Sequence, residues 1–506
     1  MTPDPERNST PGRRRRFVLG VTVRTLGAWP GGWRSPGAHR DPRQDRAALR
    51  SIANAAEAAG LHFLFFGDWL ATGAEFEHTD PSLLARVEPF AAISYLAAVT
   101  DRIGLIATAS SAHSEPYAAA RAVASADLLS EGRVALSVAT GTEPHTARNF
   151  GSAPAYDDDR YGSAAEFIRI VRGLWDSWAD DAFVSDANTG QLIDRSRLHP
   201  LDYSGRYRSS AGPLNTVRPP QGHPPIAVVV TAPASRDLAV QEADIAFVSP
   251  KTLDEGIASA AALRQQMVRA GRPAGDLVLV APILPIVADT QEHAWEAYDR
   301  LVTLVLLTEP GAAAASGIPA GRDTRALAGI LGVPLGGVEL DDVVPLRTAA
   351  RFGVLGQELL AEVALRAGRT VGGVRPVTFR HLLVAHLVAA PVVVGSAQHI
   401  ADHIESWFQA GAVDGFTVLP AFIGEQFDLF VSLVVPELRR RGLLPSDDEG
   451  AEVSASTAAA GSTGAAISTA ATASSAGSNI PATLRQRLGL GVPPNRHDLP
   501  VDSFSI

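Results

Sequence analysis

"LHFLFFGDWL" (residues 61–70) places four apolar residues, Phe63 to Phe66, directly before Gly67, Asp68 and Trp69. A run this short and apolar at every position reads as a strand covered on both faces, as in a parallel sheet. The carboxylate that follows is tolerable only if it is paired or hydrated. In a barrel of parallel strands, the C-terminal strand ends form the mouth where chemistry sits.

The pattern recurs along the chain. "FVLGVTV" (17–23), "HFLFFGD" (62–68), "RIGLIATAS" (102–110) and "RVALSVAT" (133–140) are followed by "PPIAVVVT" (224–231), "DIAFVS" (244–249), "LVLVAPILPIVA" (277–288) and "GFTVLPAF" (415–422). Between them lie alanine-rich segments of helical period. Examples are "DRAALRSIANAAEAAG" (45–60), with Gly60 as a C-cap, "YAAARAVASADLLSEG" (117–132) and "LDEGIASAAALRQQMVRAG" (253–271). Eight strand–helix units predict an α/β chain folded as a (β/α)8 TIM-type barrel, with an open doubly wound sheet as the alternative. Asp68, Thr108 with Ser110, Thr140 with Thr142, and Thr231 then fall at strand ends and ring one mouth.

The barrel is expected over residues 17–445, after a disordered basic tail at 1–16. Helical and loop insertions interrupt it at about 181–223 and 308–392. Residues 451–479 are Ala/Ser/Thr/Gly low complexity, a composition too poor in apolar surface to order itself. Residues 480–506 regain amphipathic character in "PATLRQRLGLGVP" (481–493) and read as a segment that docks on the body.

At 506 residues and 46% hydrophobic, the chain can bury a large core, and its net charge of −10 argues against nucleic-acid binding. With no cysteine, thiolate nucleophiles, disulfides and iron–sulfur clusters are excluded. No apolar run reaches a membrane span, so no membrane association is expected. "STPGRRRRFVLGVTV" (9–23) resembles an export signal, but its apolar run stops at Arg24 with no cleavage site, and a cytoplasmic location is expected.

Other motifs carry little. "HIADHIES" (399–406) spaces His399 and His403 one turn apart without a third ligand, and reads as a surface helix with no metal. The carboxylates of "AYDDDRYGSAAEF" (155–167) suit a helix N-terminus. There is no dinucleotide fingerprint and no phosphate-loop lysine motif. A glycosidase pair fails, because only Glu143 lies near a suitable strand end.

In order along the chain, "GGWRSPG" (31–37), "FFGDWLA" (65–71), "EPFAAISYLAAVTDRIGLIATASS" (88–111), "SEGRV" (130–134), "ARNFG" (147–151) and "RYGSAAEFI" (160–168) continue into "LWDSWADDA" (174–182), "GPLNTVRPPQGHPPI" (212–226), "VVVGS" (392–396) and "LVVPELRRRGLL" (433–444). Together they resemble the luciferase-like flavin-dependent monooxygenases, in the branch of the nitrilotriacetate, dibenzothiophene-sulfone and pristinamycin-synthase enzymes. The resemblance spans about residues 17–445, and "TLRQRLGL" (483–490) matches the family's C-terminal end.

It implies an FMN-using barrel without a nicotinamide domain. Such an enzyme takes reduced FMN from a separate NAD(P)H:flavin reductase, uses O2 and oxygenates a small organic substrate. The flavin supplies the oxygen chemistry and the protein supplies orientation and a dry cavity. A homo-oligomer is expected. Carried over by position, Asp68 and Thr108 border the flavin ring, Asp157 and Tyr161 lie toward the ribityl chain and phosphate, and Thr231 belongs to the phosphate cradle.

The departures fall at the same places. The family has two histidines near Ala28–Trp29, asparagine at Ser137, histidine at Asp157 and at Ala390, and Gln-Ala-Gly-Ser-Ser where "VVVTA" (228–232) stands. No catalytic residue can be assigned from the sequence. The alternatives are a non-catalytic barrel that binds a ligand or partner subunit, and a reductase of the same fold using the deazaflavin F420.

Overall fold

The computed structural model describes residues 15–73, 76–141, 144–151, 159–305, 324–388, 390–445 and 482–498. The low-complexity segment 451–479 and Asp157 lie outside them, as do Thr142 and Glu143.

Nine parallel strands are β1 (Val18–Thr22), β2 (Phe63–Phe66), β3 (Gly104–Ser110), β4 (Val134–Ala139), β5 (Ile226–Val229), β6 (Ile245–Phe247), β7 (Val278–Ala288), β8 (Val392–Ser396) and β9 (Gly415–Val418). β1 to β7 pair in chain order, and β9 lies between β7 and β1, so eight strands close into a barrel. These eight are the eight runs read from the sequence, and the open sheet is excluded. β8 stands outside the ring. It pairs only with the upper half of β7, from Leu284↔Val392 to Ala288↔Ser396. β7 changes partner between Pro282 and Pro285, where the missing amides weaken a continuous ladder.

Helices α1 (Asp45–Ala58), α2 (Pro89–Ala97), α3 (Pro116–Leu129), α4 (Arg160–Trp175), α5 (Pro233–Glu242) and α6 (Leu253–Arg269) follow β1 to β6. Their buried faces and the outward strand residues form the main core, including Leu19, Leu64, Leu105, Leu136 and Phe416. No helix among the described residues is long and apolar enough to cross a membrane.

The second excursion builds a core of its own. It joins Leu284 and Ile286 of β7, Tyr298 and Leu301 of α7 (Gln291–Leu304), and Leu359 and Val363 of α8 (Val354–Ala367) to Trp29, Ala421 and Phe422 from the loops after β1 and β9. The excursion is therefore structurally wider than 308–392, because upper β7 and α7 already belong to it.

The barrel floor is filled from both ends of the sequence. Phe63 lies across it because Gly20 has no side chain; a Cβ there would be 2.3 Å from the Phe63 ring. Leu484, Leu488 and Leu490 pack with Val18, Phe63, Ile106, Ala135, Ala227 and Ile245. A Cβ on Gly104 would come within 2.5 Å of Leu484 Cδ1. Buried Arg485 donates to the His223 carbonyl at 2.8 Å and meets Asp244 at 3.1 Å. Burial opposes the Asp244 charge, yet Arg485 and Arg172 hold its carboxyl below the usual range.

Candidate active site

The inward-facing residues at the C-terminal strand ends line the mouth. Phe65 of β2 and Phe247 of β6 stack with centroids 4.5 Å apart. Above them Thr22 and Thr417 share a hydrogen bond of 2.8 Å between their hydroxyls. Ser137 is buried and lies in register with Thr108 on one side and Ala227 on the other. Val229, at the end of β5, is 45% exposed, a large apolar side chain left open at this end of the barrel. The Ser110 hydroxyl is buried and finds no partner among the described residues.

Asp68 sits in the loop two residues beyond β2, partly buried, with Oδ1 accepting the Trp69 amide at 2.8 Å. Burial pushes its carboxyl up, against the pull of that amide and of Arg86. Arg86 fixes this loop by donating to the Gly67 carbonyl at 3.1 Å and to the Ser82 carbonyl at 2.8 Å. Thr108 is buried, and its hydroxyl donates to the Phe66 carbonyl at 2.8 Å, leaving its oxygen able to accept. The structure thus ties Thr108 to the chain just before Asp68.

Tyr161 occupies the first turn of α4. Its hydroxyl accepts from Arg160 at 3.1 Å, and the same guanidinium lies 4.8 Å from its ring centroid. Asp159 caps this helix through the Gly162 amide at 2.8 Å, the N-terminal role read for the acidic run. Thr231 is exposed two residues past β5, on the far side of the mouth from β2.

Residues not singled out from the sequence hold the rim together. The Glu166 carboxylate accepts three successive backbone amides, from Arg206 (2.7 Å), Tyr207 (2.9 Å) and Arg208 (3.0 Å). This anchors the small Tyr203–Ser210 hairpin, and Arg208 reaches from it to the Ser111 carbonyl after β3. No local pattern signals such a contact, because its partners lie about forty residues apart.

Ala28, Trp29 and Ala390, where the resemblance implied histidines, are apolar and belong to the second core. Trp29 is fully buried, with Nε1 donating to the Leu301 carbonyl at 2.9 Å and its ring edge-on to Tyr298. Ala28 and Ala390 pack against the same second core, together with Leu419. The helix Ala397–Gln409 is a surface helix, as expected, with His399 and Asp402 exposed, while His403 is largely buried near Trp407 and Phe416 and burial lowers it to about 4. No group of three metal-ligating side chains occurs among the described residues.

Residues 30–414 match the luciferase-like monooxygenase family. The chain belongs to that family. It is 33% identical to the N-acetyl-S-(2-succino)cysteine monooxygenase of Bacillus subtilis (strain 168), over 87% of this chain and 95% of the relative. It is 30% identical to nitrilotriacetate monooxygenase component A of Aminobacter aminovorans, over 87% and 96%. Among solved structures, a riboflavin lyase with modified FMN and riboflavin superposes with a TM-score of 0.66 at 28% identity, covering 85% of this chain and 93% of that one. The luciferase-like chain is thus a flavin-dependent, oxygen-incorporating oxidoreductase whose cofactor is FMN.

The mouth fits a flavin ring: its apolar side chains, the Thr108 oxygen and the unpartnered Ser110 hydroxyl suit a flat heteroaromatic with polar edges. The end of β5, where the resemblance puts the phosphate, fits less openly. The side chain of Val230 packs against the main core, so it does not crowd the mouth. The amides of Thr231 and Ala232, however, are both already bonded to Ser235.

Proposed function

We propose that the protein is the oxygenase component of a two-component system. It takes reduced FMN from a separate NAD(P)H:flavin reductase and, with O2, oxygenates a small organic molecule held at the barrel mouth. Asp68 and the Thr108 oxygen accept donors of the ring or ribityl chain. Tyr161 and Thr231 stand toward the phosphate, and Asp157 is assigned to the same end by its position in the sequence. The flavin supplies the oxygen chemistry when bound, and the chain's part is to orient it and exclude water. The protein acts as a homo-oligomer.

The observation that carries this reading is the match of residues 30–414 to the family, and Ala28, Ala390 and Leu419, packed against the second core, are taken as the mouth's apolar rim. That rim supports a substrate that is apolar where it meets the second core. Without histidines at these places, the rim offers exclusion of water rather than proton transfer.

The test is anaerobic titration of the protein with reduced FMN, oxidised FMN and F420, followed by admission of O2 with a reductase and a panel of apolar and carboxylated compounds. Preference for reduced FMN, with O2 uptake coupled to oxygenation of apolar members, is the expected result. Preference for F420, or O2 uptake that yields only hydrogen peroxide with every compound, would remove the assignment.

A further inference from the structure

We infer that Ser235 occupies the place of the flavin phosphate and thereby makes this chain discriminate poorly between FMN and riboflavin. The inference rests on the proposed position of the phosphate at the end of β5.

One hydroxyl satisfies both backbone donors at that strand end. Ser235 Oγ accepts the Thr231 amide at 2.9 Å and the Ala232 amide at 2.9 Å. It donates its own proton to the Ala232 carbonyl at 2.8 Å. Ser235 is 2% exposed, so water does not compete for these bonds. The preceding amide, of Val230, is spent on the Phe247 carbonyl at 2.8 Å, and Pro233 has none.

An oxygen that accepts two adjacent amides at a helix N-terminus stands where an anionic oxygen would gain most from the helix dipole. Ala232, at the N-cap, has no side chain able to cap the helix, so the third helical residue reaches back and does so instead. A phosphate arriving here must displace Ser235, and what it gains from two amides is offset by what Ser235 loses. The Thr231 hydroxyl is the donor at this strand end that Ser235 does not engage. Flavin affinity then resides mainly in the ring and ribityl contacts, which riboflavin shares.

Ser235→Ala and Ser235→Gly release the two amides. With each variant's fold checked by its melting temperature and circular dichroism, binding of oxidised FMN and of riboflavin is followed by quenching of flavin fluorescence. FMN should bind roughly tenfold tighter or better in both variants, the worth of one recovered charge-assisted bond or more. Riboflavin should change less than about twofold, having no charge to offer the freed donors. Inorganic phosphate should raise the melting temperature of the variants more than that of the parent.

Thr231→Val separates the two ways to fail. Unchanged FMN binding in the Ser235 variants, with selective weakening of FMN by Thr231→Val, overturns the role of Ser235 but keeps the phosphate at β5. Unchanged FMN binding in all three removes the phosphate from this strand end, and the role of Ser235 with it.

Discussion

Leu484 tests whether the C-terminal segment is part of the barrel. Its side chain is fully buried among the lowest inward residues of the strands and lies against Gly104. Replacing a buried leucine with alanine costs about 2–5 kcal/mol, and here the loss falls on the docked segment. At 1.36 kcal/mol per decade, the lower figure alone makes the open form roughly 30 times more populated. Amide exchange reads this directly. The Leu484 amide is held by the Gly132 carbonyl at 2.8 Å, and the Leu488 and Leu490 amides are held within the segment at 2.9 Å. In Leu484→Ala, exchange across 483–490 should accelerate about 30-fold or more, with a smaller rise at the start of β3. Deleting 452–479 should leave these rates unchanged, since that stretch has no composition with which to hold the segment in place. The reasoning is refuted if the variant folds and the segment exchanges no faster, or if the parent segment already exchanges at the rate of a free peptide.

Three further outcomes are expected. Trp29→Ala should destabilise the protein by about 3–5 kcal/mol in urea, since it empties a buried site and orphans the Leu301 carbonyl, whereas Trp29→Phe, which orphans the same carbonyl but fills most of the site, should cost about 2 kcal/mol. Asp68→Ala should weaken flavin binding about tenfold while moving stability by no more than about 1 kcal/mol, because the carboxylate's local bond is to the next amide; unfolding with unchanged affinity would make it a cap. Burial and the nearby Arg487 depress His62 to about 4 from 6.5, while its Nδ1 accepts the Leu19 amide at 3.2 Å. The unfolded chain takes up the proton first, so the stability contributed by neutral His62 is present above pH 6.5 and lost as pH falls toward 4, about 2 kcal/mol of it by pH 5. His62→Asn keeps an acceptor without titrating there, and its urea midpoints between pH 7.5 and 5 should fall less steeply than the parent's. Equal slopes would show that His62 is not held neutral.

Strand identity was legible because it is local. The continuous apolar runs of Phe63–Phe66 or Ile226–Val230 need no partner to be recognised, and eight of them separated by helices point to a parallel barrel, although closure over an open sheet was decided by the pairing of β9 with β1. The polar strand ends followed from the same count, which is why Asp68, Thr108 and Thr231 could be named before their surroundings were known. The surface helix over 399–406 was legible in the same way, but which of its histidines turns inward was not: Trp407 and Phe416 flank His403. What those end residues are free to do depends on partners that no spacing rule supplies. Thr108 spends its proton on the neighbouring strand, and Ser235 takes two amides although the N-cap residue is alanine. The second core, the Glu166 anchor and the Leu484 wedge join segments that meet only when the ring of strands closes. A strand forms from the period of its own side chains, whereas the availability of a donor is settled by whichever distant group reaches it first in the folded chain.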